Sequence, residues 1–96
     1  MSNENVIKAF LSGNQAKTPL RNINAGYYTY KGRTLYTEEN NLINYKTTIA
    51  TLKDGKVYLN INKYSSTTSH IQSKIRHLAS AKGLEIVEVK GIKNDN

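Results

Sequence analysis

Apolar residues recur along this chain with two different periods, and the points where the period changes outline its elements. Val6, Ile7, Phe10 and Leu11 fall at i, i+1, i+4 and i+5, one stripe over about two turns of helix. Ser2 or Asn3 supplies a cap, Glu4 suits the positive helix end, and Gly13 supplies a stop, so a short helix is predicted within 1–12. The polar run 14–25 has no period and reads as a loop. Residues 26–37 are rich in tyrosine and threonine and predict a hairpin with Lys31-Gly32 at its tip. That register sets Tyr28 opposite Leu35 and Tyr27 opposite Tyr36. Glu38-Glu39-Asn40-Asn41 follows as a solvated turn rather than a catalytic acid pair.

Asp54-Gly55 is the strongest local signal, because a type I′ hairpin turn needs positive φ at both central positions. The register it implies faces Leu52 to Val57, Ala50 to Leu59 and Thr48 to Ile61, an apolar face. Thr51 with Tyr58 and Ile49 with Asn60 form the wetter one. Residues 26–62 are thus read as β-hairpins. A hydroxyl-rich turn then leads into a capped basic segment over 65–83. Ser69 and Gln72 have capping-box spacing and predict the main helix over 69–82, with Ile71, Ile75 and Leu78 inward and Gly83 as its end. Residues 84–90 alternate as a final strand, and 91–96 form a tail. The expected fold is α+β in a single domain over 1–96. A small antiparallel β-sheet of four to five strands packs against one main helix, with a short N-terminal helix and a C-terminal strand.

Composition adds two constraints. Of 96 residues, 38% are hydrophobic and none is cysteine, so the core is small and has no disulfide or thiolate metal site to reinforce it. Self-association or a partner would supplement such a core. Fourteen Lys and Arg oppose seven Asp and Glu, a net charge of +7, and no acid occurs between Asn5 and Thr37. A field of that sign attracts nucleic acid, a nucleoprotein or an acidic protein face. No stretch has the ~18 apolar residues of a membrane span. Glu4 and Lys8 interrupt the apolar positions of the N-terminal stretch, which is unlike a secretory signal. A soluble, cytoplasmic protein without membrane contact is expected.

Three groups of residues are candidates for binding. The hydroxyls of Ser65, Ser66, Thr67, Thr68 and Ser69 sit at a helix start, where free amides suit an anion and where capping alone also explains them. His70, Lys74 and His77 share one helix stripe with Arg76 beside it, and Lys63 and Lys82 flank it, a face suited to a polyanion or partner. Tyr27, Tyr30 and Tyr58 are interleaved with lysines as aromatic contacts, whereas Tyr28 and Tyr64 read as core filler. No metal or cofactor is expected. His70 and His77 stand about 10 Å apart along a helix, too far to share an ion, and no third ligand accompanies them. No nucleophile, base and orienting group can be assembled, and no phosphate loop is present, so an enzyme is not expected.

The segment Lys63-Tyr64-Ser65-Ser66-Thr67-Thr68-Ser69-His70-Ile71-Gln72, following a β-hairpin, resembles small proteins of tailed bacteriophages that carry a Lys-Tyr-Ser-x-Thr-Thr-Ser-x-x-Gln motif. Taken with the preceding strand bearing Ile49-Ala50, its polar turn and the Val57-Tyr-Leu-Asn60 strand, the resemblance spans Leu42–Arg76, about a third of the chain, and carries over no catalytic residue. It implies a phage accessory protein that binds and inhibits host machinery, with host defence such as a CRISPR–Cas nuclease or its nucleoprotein as the expected target. The basic charge argues against a DNA-mimicking inhibitor. A phage protein that binds DNA or RNA directly is the alternative, and a structural virion component the third.

Overall fold

The computed structural model describes residues 1–92; the end of the expected tail, 93–96, lies outside the described residues. The elements in order are α1 (Asn3–Leu11), β1 (Arg21–Asn24), β2 (Thr29–Gly32), β3 (Leu35–Glu38), β4 (Asn41–Asn44), β5 (Thr47–Lys53), β6 (Lys56–Asn60), α2 (Ser66–Lys82) and β7 (Glu85–Val89). The architecture is α+β. Strands β3 to β7 form a five-stranded sheet in sequential order, and β1 and β2 form a separate two-stranded ribbon.

Both helices bury their apolar stripes against one face of the five-stranded sheet. Val6, Ile7, Phe10 and Leu11 of α1 meet Ile71, Ile75 and Ala79 of α2 over Leu35, Leu42, Ala50, Val57 and Leu59. Ser2 caps α1, its hydroxyl accepting from the Asn5 amide at 3.2 Å. The Asp54-Gly55 turn has φ of 55° and 74°, and β5 and β6 pair as expected, Leu52 with Val57, Ala50 with Leu59 and Thr51 with Tyr58. The closing strand, whose direction the pattern left open, runs parallel to β6 with Val57 beside Ile86. A parallel neighbour requires a long crossover, and α2 is that crossover.

Four expectations are corrected. First, Lys31-Gly32 is not a hairpin tip. Gly32 lies in extended β2, where a Cβ would come within 2.8 Å of the Tyr30 ring and 3.1 Å of Ile23, so this glycine makes room for a ring. The glycine that turns the chain is Gly26, at φ 86°. Tyr30 accordingly pairs with Ile23 of β1, and Tyr36 with Ile43 of β4.

Second, 14–25 is not all loop. Its C-terminal part is β1, and its N-terminal part lies on the edge of β3, where the Thr18 amide donates to the Leu35 carbonyl and the Thr37 amide to the Ala16 carbonyl, both at 2.9 Å. This closes one edge of the sheet. Third, Ile49 does not share a wet face with Asn60. The β4–β5 register shifts between Leu42 and Ile43, making Ile49 the extra residue of a bulge, and the local bend carries it into the core, fully buried.

Fourth, the main helix starts three residues early, at Ser66, and its cap is Ser65 rather than Ser69. Ser65 Oγ accepts from the Thr68 amide at 3.2 Å and donates to Thr68 Oγ1, which donates to Asn44 Oδ1 at 2.6 Å; Asn44 Nδ2 donates onward to the Thr34 carbonyl at 2.7 Å. Gln72 does not reach back to a cap. Its Nε2 donates to the carbonyls of Asn60 and Asn62, at 2.7 and 3.0 Å, and holds the end of β6 to the helix. Tyr64 joins the same junction by accepting from Asn60 Nδ2 at 2.9 Å.

The hydroxyl motif therefore makes testable structural contributions. In urea unfolding, Ser65→Ala should cost about 1 kcal/mol as a lost cap, whereas Ser69→Ala should stay within about 0.5 kcal/mol as an exposed helix position. Thr68→Val keeps the shape but strands a buried Asn44 oxygen, and should cost about 1–3 kcal/mol. Equal losses at Ser65 and Ser69 would contradict the observed cap.

Candidate functional site

Ion pairing redistributes the charge that the sequence spreads along the chain. Glu4 takes Lys74 at 3.0 Å and Lys8 at 3.3 Å, Glu85 takes Lys56 at 3.7 Å, and Glu88 takes Arg76. Each of these carboxylates lies on α1 or β7. The helix stripe expected to meet a polyanion is thus partly engaged internally: Lys74 ties α2 to α1, Arg76 ties it to β7, and Lys82 Nζ donates to Ser12 Oγ at 3.2 Å. His70, His77 and Lys63 remain exposed.

The other candidates separate in the same way. Of the five hydroxyl residues, Ser65 and the buried Thr68 are spent on the cap and on Asn44, while Ser66, Thr67 and Ser69 are exposed. Tyr58 is half-buried on the sheet face without helices, where it lines an open groove with Asn41, Thr51 and Val89. Tyr27 and Tyr30 lie together elsewhere, on the β1–β2 ribbon. Tyr28 and Tyr64, read as filler, are instead 57% and 49% exposed.

The ribbon is an arm with its own small packing unit. Ile23, only 6% exposed, lies across from Tyr30, and both pack over Gly32. Asn24 Oδ1 accepts from the Gly26 amide, and the Ala25 amide donates to the Tyr28 carbonyl at 2.8 Å, closing the tip. At the base, Arg21 Nε donates to Thr34 Oγ1 at 2.9 Å and Arg33 to the Thr18 carbonyl at 2.7 Å. Lys46, from the β4–β5 turn, places its ammonium 4.3 Å from the centroid of the Tyr30 ring. The same turn holds Tyr45 at φ 58°, an uncommon conformation for an aromatic residue. Tyr45 and Tyr30 line clefts on both sides of the arm: one with Arg21, Asn22, Asn24 and Thr67, the other with Lys31, Arg33 and Tyr36. Burial pushes the Tyr36 hydroxyl above its ordinary range, with Glu38 adding to the effect, so it stays protonated at neutral pH.

Aromatic exposure and uncompensated charge meet on this arm. Tyr27 at the tip is fully exposed, and Tyr28 stands 6.0 Å from Tyr30 with the rings tilted by 38°. Arg21, Lys31, Arg33 and Lys46 line the clefts beside it, and among the described residues none of them has a carboxylate in salt-bridge range. Sequence reasoning named Tyr27 and Tyr30 here as aromatic contacts interleaved with lysines, but read Tyr28 as filler and singled out neither Arg21 nor Arg33 as a site. The acid-free run from Asn5 to Thr37 was the signal that pointed there. Among the described residues no three His, Cys, Asp or Glu side chains gather to hold a metal, and no helix is long and apolar enough to cross a membrane.

The internal pairing of Lys74 is open to measurement. Its contact, and secondarily that of Lys8, holds the Glu4 carboxyl below the ordinary carboxylate value. A lowered native value means that the unfolded chain binds this proton more readily. The stabilising contribution is thus complete above the ordinary carboxylate range and is lost as pH falls through the lowered native value. An NMR titration of the Glu4 carboxyl should show a midpoint below that of an exposed glutamate. Lys74→Met should return most of the shift, and Lys8→Met less.

No family model matches the chain, and neither a curated protein nor a solved structure is significantly similar to it, so the functional reading rests on the arm itself.

Proposed function

We propose that this protein is a non-enzymatic phage accessory factor that binds host machinery through the β1–β2 arm, its target a nucleoprotein of host defence such as a CRISPR–Cas nuclease with its guide RNA. The observation that carries this reading is the arm: a separate ribbon with fully exposed Tyr27 at its tip and, in the clefts along it, Arg21, Lys31, Arg33 and Lys46 without carboxylate partners among the described residues. Exposed tyrosine is a preferred anchor at protein interfaces. Unpaired basic charge draws in a polyanion and speeds encounter. Both properties suit a partner that combines protein and nucleic acid. The likeness of the 63–72 motif to tailed-phage proteins supports the biological setting. In this fold most of that motif serves the junction between β6 and α2, so it is not the proposed contact surface.

Direct binding of DNA or RNA by a phage protein is the second reading, favoured by the interleaving of Tyr28 and Tyr30 with Lys31 and Lys46. The two readings diverge under nuclease and salt. A protein-mediated contact survives both, whereas a phosphate-mediated one is lost with nuclease and weakens by roughly 0.7–0.9 log units per log unit of salt for each phosphate held.

In a host with active CRISPR immunity, expression of the wild-type protein should restore phage plating, and tagged protein should retain the effector complex from lysate. Tyr27→Ala combined with Lys31→Glu should abolish both, while His70→Ala with His77→Ala should leave both intact. Charge reversal at Lys74 or Arg76 is a poorer probe, because it also breaks the contacts with Glu4 or Glu88. An arm variant that acts like wild type would overturn the reading.

A further inference from the structure

We infer that the arm takes an unpaired strand of nucleic acid, with bases stacked on Tyr27 and Tyr28 and phosphates against Arg21, Lys31 and Lys46. This rests on the reading above that the arm is the contacting element, and it names the chemistry that element meets.

Three features lead to it. The first is ring exposure. Tyrosine normally buries most of its ring. Here Tyr27 makes no packing contact that reduces its exposure, and Tyr28 is more than half open. Tyr28 is nonetheless positioned, because it leans on Tyr30, which is fixed from below by Gly32 and Ile23 and approached by Lys46 at 4.3 Å. A presented ring face gains most from another planar face. Unpaired bases offer theirs, whereas a duplex hides its faces in the stack.

The second feature is the sign and place of the charge. Lys46 on the adjoining turn stands over the Tyr30 ring, and Arg21 on β1 and Lys31 on β2 line the clefts on either side, with no acid between Asn5 and Thr37. A protein partner would have to be acidic at this one place, while a strand of nucleic acid carries phosphate at every step. The third is the polar edge. Asn22 and Asn24 are exposed along β1 and line a cleft whose far side is Thr67 at the start of α2. Amide side chains there can reach the hydrogen-bonding edges that splayed bases leave open. A two-stranded ribbon also fits the major groove of duplex DNA, but such a ribbon reads with polar side chains and leaves tip tyrosines without stacking partners.

The test uses the full chain and fluorescence anisotropy, with labelled single-stranded DNA and RNA of about 12 nucleotides, and with the matching duplex. Single strands should bind at least about tenfold more tightly than duplex at equal salt. Tyr27→Ala with Tyr28→Ala should weaken single-strand binding by roughly tenfold or more while leaving the salt slope and the melting temperature unchanged. Tyr27→Phe, which keeps the ring, should bind as wild type. Lys31→Ala with Lys46→Ala should lower the single-strand salt slope by about 1.4. Binding of either DNA or RNA supports the inference, and their ratio reports whether the 2′-hydroxyl is read. Equal affinity for duplex, or an unchanged tyrosine double variant, overturns it. If no oligonucleotide binds but the arm still captures a nuclease-resistant host complex, the unpaired-strand inference falls and the arm remains a protein-binding element. If arm variants change neither measurement, both fall.

Discussion

The junction between β6 and α2 is the constraint on which the rest of the molecule depends. Asn60 is 1% exposed and binds in four directions: its Nδ2 donates to the Thr48 carbonyl and to Tyr64, and its Oδ1 accepts from the amides of Asn62 and Gly91. Asn44, equally buried, links the start of α2 to the β3 side of the sheet through Thr68 and Thr34. A buried amide that lost one of these partners would cost about 1–3 kcal/mol, a large share of the stability available to so small a core. No buried side-chain nitrogen or oxygen among the described residues lacks a partner. Apolar burial holds the helices down on the sheet, and the two asparagines determine where along the sheet α2 begins.

Charge is organised by the same economy. With few acids in the chain, Glu4, Glu85 and Glu88 are placed where they join elements distant in sequence: α1 to α2, β6 to β7, and α2 to β7. All are surface pairs, individually modest in energy. Their larger consequence is spatial. Carboxylates gathered on that side leave the β1–β2 ribbon and its surroundings positive, although net charge alone points to no particular face.

What the sequence made legible follows how local each interaction is. The Asp54-Gly55 hairpin was readable because turn chemistry and strand pattern are both short-range and agree. The stripe of α1 was readable for the same reason, as was the inward face of α2. The β1–β2 arm was not, because Arg-Asn-Ile-Asn alternates around a single apolar residue and its partner is set by Gly26, not by the more conspicuous Lys31-Gly32. The bulge at Ile49 appears only once β4 is in place beside β5. The true cap was obscured because any of several neighbouring hydroxyls satisfies the capping pattern locally, and only the reach of Thr68 to Asn44, 24 residues away, selects Ser65. The charged helix stripe was legible as a stripe. That two of its cations were already engaged was not, since Glu4 and Glu88 come from opposite ends of the chain.

These two kinds of interaction together explain how the arm is held. Strands of four residues in a two-stranded ribbon are marginal in water on their own. This ribbon is retained by Ile23 and Tyr30 closing over Gly32, and by Arg21 and Arg33 reaching backbone and hydroxyl acceptors at its base. The cations at the base thus steady the arm through neutral acceptors and keep their full charge, which pairing with carboxylates would have offset. Placing positive Lys46 against the Tyr30 ring has the same effect, anchoring an aromatic without neutralising the ammonium. An arm built in this way is positioned and still electrostatically unsatisfied. A surface with that combination presents an uncompensated positive field, the property by which basic surfaces draw in polyanions.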